Sequence, residues 1–246
     1  DHLGCYGYFR DTSPTIDQLA AESILFERCI VPIATTLPSH TSMLTATYPI
    51  EHGVLANVKR GGYKFTPSPK LQSYAEIISH AGYQTAAVVS AAPLNEVTGI
   101  AAGFDHYSQP EKLERIAALT NAQAFEWLDN REDSPFFLWV HYYDPHFPYR
   151  PPKPYDSRYK ADEALDNYMK ERRFARKLEL PSGNTTPISA MINNYDGEIR
   201  YLDDQLALLF AKLKEEKLWD HTAIVFTSDH GEGVGQHGRT GHSYTW

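Results

Sequence analysis

The sequence is short of cysteine: Cys5 and Cys29 are the two it has, and they lack C-x-x-C spacing. That excludes a disulfide framework and a thiolate zinc site, and both thiols are expected in the core. Nor is there an apolar run near the roughly 18–20 residues that a membrane helix needs. Residues 1–25 have neither the basic start nor the apolar stretch of a secretory leader. Basic charge is in the minority, 23 Lys and Arg against 31 Asp and Glu, and the resulting −8 argues against nucleic acid as a partner. Repeats and low-complexity tracts are also absent. The chain opens on Asp1-His2-Leu3-Gly4 without Met, a start compatible with an upstream targeting segment, so localisation, membrane association and oligomeric state stay open.

What is present suits one large α/β domain of 246 residues, 42% of them hydrophobic. Ser13-Pro14 followed by Thr15 to Glu22 reads as a capped helix start, and Ile24-Leu25-Phe26 as a short strand. A helix is expected from Leu71 to about His80, closed by Gly82, with a buried strand over Thr85–Ser90 behind it. The rhythm returns in the amphipathic Ala117–Leu128 before the strand Phe136–Val140. It returns again in a long helix through Ile199, Leu202, Leu206 and Leu209 before the strand Ala223–Phe226. Helices alternating with continuous apolar strands predict a mostly parallel sheet covered on both faces. The Pro-rich stretch 148–187, with the solvated charge run Lys170-Glu171-Arg172-Arg173, reads as an insertion over the sheet edge.

In open parallel sheets functional groups gather past the carboxyl ends of the strands. Thr227-Ser228-Asp229-His230-Gly231-Glu232 follows one apolar run, and His141-Tyr142-Tyr143-Asp144-Pro145-His146 another. An adjacent carboxylate and imidazole on a Gly-rich turn can reach a divalent cation, although such a pair can equally be structural. The density of histidine favours a site: His230, His237 and His242 fall among five glycines within thirteen residues, where the backbone has little to give a core. Asp144 and His146 could form a second metal position. Around Thr36, hydroxyls crowd the start of an expected helix, whose N–H groups favour an anion such as phosphate or sulfate, while Ser and Thr there are also ordinary helix caps.

Six stretches, DHLGCYGY, TTLPSHTSMLTATYPIEHGV, GYQTAAVVS with GFDHY, HYYDPHFPY, YDGEIRYLDDQL and FTSDHGEGVGQHG, occur in an order that resembles the sulfatase branch of the alkaline-phosphatase superfamily from Asp1 to Trp246. The resemblance implies a three-layer α/β sandwich with a mostly parallel central sheet, here over residues 1–246 and incomplete at both ends. The family's first strand and acidic metal ligands would lie upstream of Asp1, and its last strands beyond Trp246. It implies a hydrolase of sulfate or phosphate esters using one or two divalent ions (Zn, Mn or Ca), and a small-molecule, glycan or lipid ester as substrate. Periplasmic or extracellular placement would fit.

By the same resemblance Asp229 and His230 are metal ligands, joined by Thr36, which stands at the nucleophile position two residues before Pro38. His146 and His242 would act at the leaving group, with His40, Asp144 and His237 binding substrate. The departures are a Thr where sulfatases carry the Cys or Ser converted to formylglycine, His40 in place of an Arg, and no Lys-x-His pair after Ser90. An unmodified Thr resembles phosphodiesterases and phosphoethanolamine transferases, in which threonine attacks phosphorus. A phospho-alcohol transferase and a non-catalytic binding protein on the same fold are therefore the alternatives.

Overall fold

A computed structural model describes residues 1–57, 64–174, 177–179, 185–236 and 240–242. Its helices are α1 (Pro14–Ala21), α2 (Thr36–Thr45), α3 (Pro49–His52), α4 (Tyr74–His80), α5 (Ala117–Asn130), α6 (Glu163–Glu171) and α7 (Ile188–Glu215). Its strands are β1 (Gln84–Val88), β2 (His106–Ser108), β3 (Phe136–Val140), β4 (Lys177–Glu179), β5 (Thr185–Pro187), β6 (Gly233–Val234) and β7 (Thr240–Gly241). The chain divides into two compact units. One comprises Asp1–Cys29, Asp144–His221 and Glu232–His242; the other comprises Ile30–Tyr143, Thr222–Gly231 and Ser243–Trp246.

The second unit holds the parallel sheet, in the order β2-β1-β3, with Ala86 opposite His106 and Gln84 to Val88 opposite Phe136 to Val140. As the central strand of the three, β1 is buried from Thr85 to Val88. Helices α4 and α5 pack against it. Helix α4 starts on a capping box: Glu76 N–H donates to Ser73 Oγ at 3.1 Å, and Ser73 N–H to Glu76 Oε2 at 2.7 Å. Leu37, Val54, Phe65, Ala87, Val89, Leu94 and Ile100 form the core, each large aliphatic or aromatic side chain contributing about 1.5–3 kcal/mol by leaving water.

The first unit is built on α7, whose 28 residues contact α1, the turn at Tyr155–Ser157, β5 and β6. Two acidic residues on α7 bind the opening segment. Asp196 is wholly buried and accepts from His2 Nδ1 at 2.7 Å, Tyr8 Oη at 2.8 Å and Arg10 at 2.8 Å. Asp203 accepts the N–H groups of Thr15 and Ile16, both at 2.9 Å. The expected cap of α1 is thus corrected: Ser13 makes no cap bond, and the amides of the first turn are satisfied by a carboxylate 187 and 188 residues away.

Three other expectations also change. Ile24–Phe26 and Ala223–Phe226 form no strand, and Ile24 (85%) and Val225 (88%) are largely exposed. Apolar runs supply strand propensity, but a strand needs a ladder partner for its backbone. Neither thiol is a core residue: Cys29 lies exposed just past the first of these runs, and Cys5 is half-buried. The three residues of β2, in contrast, pair beside β1 without having been expected as a strand.

Candidate active site

Thr36 opens α2 in the second unit. The first seven residues of the helix are all buried, and its hydroxyls bond within the protein: Thr41 Oγ1 donates to Leu37 O at 2.7 Å, and Ser42 Oγ lies 3.0 Å from His52 Nε2. The expected anion cradle at this terminus is mostly used up by the protein itself. Leu37 N–H donates to Asn57 Oδ1 at 2.8 Å, Pro38 has no N–H, and Ser39 N–H donates to Thr35 O at 3.1 Å. Thr36 itself is 3% exposed, which shields its hydroxyl from bulk water.

Three residues further along, on the same face of the helix, Ser39 Oγ donates to the carbonyl of Asp229 at 2.6 Å. This bond ties the first turn of α2 to the Gly-rich turn that carries Asp229 and His230. On that turn His230 Nδ1 lies 3.1 Å from the Gly231 carbonyl, and its Nε2 is 3.3 Å from Asp229 Oδ2. His40 Nδ1 is 3.5 Å from the same oxygen and donates to the Thr36 carbonyl at 2.9 Å. Burial pushes the His40 pKa down, against the opposing pull of Asp229, and holds the ring neutral.

A further histidine, not assigned a role in the sequence, completes this group. His141 follows β3, and its ring stands edge-on to His40 with centroids 4.9 Å apart. Its Nδ1 accepts from Ser90 N–H at 3.4 Å and lies 3.1 Å from Ser90 Oγ, at the carboxyl end of β1. The only signal for it in the sequence was its position immediately after an apolar run.

The first unit brings His146 and His242 together, with Nε2 atoms 3.0 Å apart. Glu232 brings a carboxylate beside them: its Oε1 is 3.9 Å from His146 Nε2 and 3.8 Å from His242 Nε2. The β6–β7 hairpin explains why. Its register sets Gly233 opposite Gly241 and Val234 opposite Thr240, so Glu232 and His242 flank its open end. Gly235 turns the chain at φ 113°, and a Cβ there would fall 2.7 Å from Ile188. Tyr149 Oη donates to Glu232 Oε2 at 2.9 Å. Burial foremost, then this carboxylate, drive the Tyr149 pKa upward. His237 lies outside the described residues.

A profile of the family described as Sulfatase matches residues 1–246. Human iduronate 2-sulfatase is 26% identical over 294 aligned positions, which cover 96% of this chain and 53% of that one. Among solved structures, the phosphonate monoester hydrolase of Agrobacterium radiobacter superposes with a TM-score of 0.77 at 23% identity, over 100% of this chain and 63% of its own. BT4656, solved with its substrate D-glucosamine-2-N,6-O-disulfate, gives 0.77 at 19%, over 98% and 65%. These superpositions show an alkaline-phosphatase-like fold with a mostly parallel central sheet, and the chain spans about half the length of the human relative it matches. With a match that runs through every described element, the chain belongs to the sulfatase family of the alkaline-phosphatase superfamily.

Proposed function

We propose that this chain carries the nucleophile and part of the metal site of a hydrolase of phosphate or sulfate esters, in which Thr36 attacks in line and forms a covalent ester. The observation that supports it most directly is the 2.6 Å bond from Ser39 to the Asp229 carbonyl, which fixes the turn bearing Asp229 and His230 against the helix that Thr36 begins. The residues present fit a cation: an imidazole nitrogen and a carboxylate oxygen stand 3.3 Å apart on a Gly-rich turn, the nitrogen and oxygen donors that a divalent ion takes. Asp229 and His230 would hold such an ion, a donor set suited to Zn or Mn. When bound, it would stabilise the alkoxide of a hydroxyl that is a weak nucleophile near neutral pH.

The chain's own residues would do the rest. His40 stays neutral and braces the Thr36 carbonyl, so its proposed part is to position the nucleophile beside any contact it makes with substrate. On the resemblance, His146 or His242, whose Nε2 atoms lie 3.0 Å apart, would protonate the leaving oxygen. Water, or an acceptor alcohol in a transferase, would then release the Thr36 ester. Asp144 and His237 keep their assignment to substrate on the resemblance alone. Threonine favours phosphorus over sulfur, because it is not the residue converted to formylglycine. A sugar ester is supported by the names of the relatives, one of which acts on iduronate and another on a sulfated glucosamine.

The test uses the full-length, metal-replete protein with aryl phosphate monoester, phosphodiester and sulfate esters in parallel. The expected result is cleavage of one class, its loss in Thr36→Ala, and partial retention in Thr36→Ser. Full activity in Thr36→Ala would remove the threonine from the reaction.

A further inference from the structure

We propose that His141 is a positioning residue for the nucleophile: anchored by Ser90, it holds His40 in the rotamer that braces Thr36. The inference rests on the reading of Thr36 as the attacking group, and every residue in it belongs to the second unit.

The anchoring begins in the backbone. His141 N–H donates to the Val88 carbonyl at 2.9 Å, which carries the pairing of β1 and β3 one residue past the end of β3. The next side chain is tied down as well, because Tyr142 Oη donates to Oδ1 of Asn121, which is buried on α5. Strand geometry sets residues 139 and 141 on one face. Both rings meet the same neighbour there: His40 lies 5.3 Å from Trp139 and 4.9 Å from His141, centroid to centroid.

The His141 ring is held in turn. Ser90 N–H, 3.4 Å away, can only donate, so His141 Nδ1 accepts, and Ser90 Oγ stands 3.1 Å from the same atom. Ser90 is wholly buried, and its carbonyl accepts from Arg115 N–H at 2.9 Å, so the anchor is itself pinned.

His40 is the side chain that gains from this support. It is 3% exposed and bonds to the Thr36 carbonyl one turn back at 2.9 Å. A neutral imidazole has a single N–H, so the direction of the ring decides whether that bond exists. With Trp139 and His141 packed against it, a change of rotamer requires one of those rings to move. Removing the His141 ring opens a cavity beside His40 and frees it to turn. Each turn away from Thr36 would release the carbonyl and loosen the first turn of α2. A displacement of about 1 Å at a reacting group can cost about 100-fold in rate, so fixing a ring two contacts from the reaction is enough to matter.

The experiment measures kcat and KM of the full-length, metal-replete protein on aryl phosphate monoester, phosphodiester and sulfate esters, with Thr36→Ala as the control. The variants are His141→Ala, His141→Phe, Ser90→Ala and the double variant His141→Ala with Ser90→Ala, each checked for folding by circular dichroism. His141→Ala is expected to lower kcat about 10- to 100-fold while KM stays within about threefold. His141→Phe keeps a ring but not the acceptor for Ser90; it should fall between, and it carries the test if the alanine variant does not fold. Ser90→Ala should lower kcat less and add nothing once His141 is gone, since it acts through that ring. Imidazole 15N spectra give a readout that needs no turnover: the His40 Nδ1 proton should be protected from exchange in wild type and exchange faster in His141→Ala. Wild-type kcat in the folded His141 variants overturns the proposal, as does unchanged protection of His40. A rise in KM alone also overturns it by making His141 a substrate ligand, and effects of Ser90→Ala and His141→Ala that multiply would break the link between the two. Full activity in Thr36→Ala would instead sink the reading of the nucleophile, while the His40 exchange still reports whether His141 holds that ring, so the two fail separately.

Discussion

Ser39 Oγ donates to the main-chain carbonyl of Asp229 at 2.6 Å, joining residues 190 positions apart. The bond reaches a backbone atom, so it sets the position of the turn and leaves the Asp229 carboxylate available. It also explains why a hydroxyl on the third residue after Thr36 is wholly buried.

Ser39→Ala leaves a carbonyl without this donor and should cost about 1–3 kcal/mol. The turn that carries Asp229 and His230 would loosen, and zinc affinity at that pair should fall about 10- to 100-fold, the usual effect of removing an outer support. Ser39→Thr should restore both. A drop in melting temperature with unchanged zinc affinity would make Ser39 a packing residue only.

Asp196 is the centre of the first unit's polar core, with His2, Tyr8 and Arg10 as its donors. Asp196→Ala would strand a buried guanidinium and two other donors, at about 3–5 kcal/mol. For a chain of this size that is roughly a 10 °C fall in melting temperature, read by calorimetry. Asp196→Asn, which keeps acceptors but loses the charge, should fall between.

His52 predicts a pH dependence. Val54 N–H donates to its Nδ1 at 3.1 Å, so the ring proton is on Nε2, 3.0 Å from Ser42 Oγ. Burial lowers its pKa, outweighing the opposing pull of backbone carbonyls and Glu51. The unfolded chain therefore takes up a proton near pH 6.5 before the folded one does, and stability falls as pH drops through that value. His40 is lowered in the same direction. His52→Asn, whose Oδ1 can replace Nδ1 as acceptor, should make urea midpoints between pH 7.5 and 5 less steep without abolishing the slope. An unchanged slope would remove His52 as a contributor.

The elements legible in the sequence were those whose signal is local. Phe136–Val140 forms β3 with the expected bounds, and Ala117–Leu128 and the repeat through Ile199 to Leu209 lie inside α5 and α7. In the two helices the apolar residues repeat with the helical period, and in β3 the five-residue apolar run is too short for a helix of its own. What was not legible depends on pairing. The DHLGCYGY and YDGEIRYLDDQL stretches supply His2, Tyr8 and Asp196, whose bonds span as many as 194 positions and mark the two stretches as one structural lock. Glu232 was visible in the same turn as Asp229 and His230, but its place beside His242 follows from the hairpin register, which no spacing rule encodes.

The same dependence on pairing yields the last prediction. Ile24, Phe26 and Val225 are apolar and 85%, 70% and 88% exposed, and no ladder partner holds them among the described residues. Exposed apolar side chains on unpaired backbone invite pairing with another chain. The 246-residue chain should therefore self-associate with rising concentration, and Val225→Lys combined with Ile24→Lys should suppress this in light scattering. Because both side chains are mostly in water, the double variant should change stability by no more than about 0.5 kcal/mol per site. A large loss of stability would mean that these residues are covered in solution, and that the segments have found a partner within the folded protein.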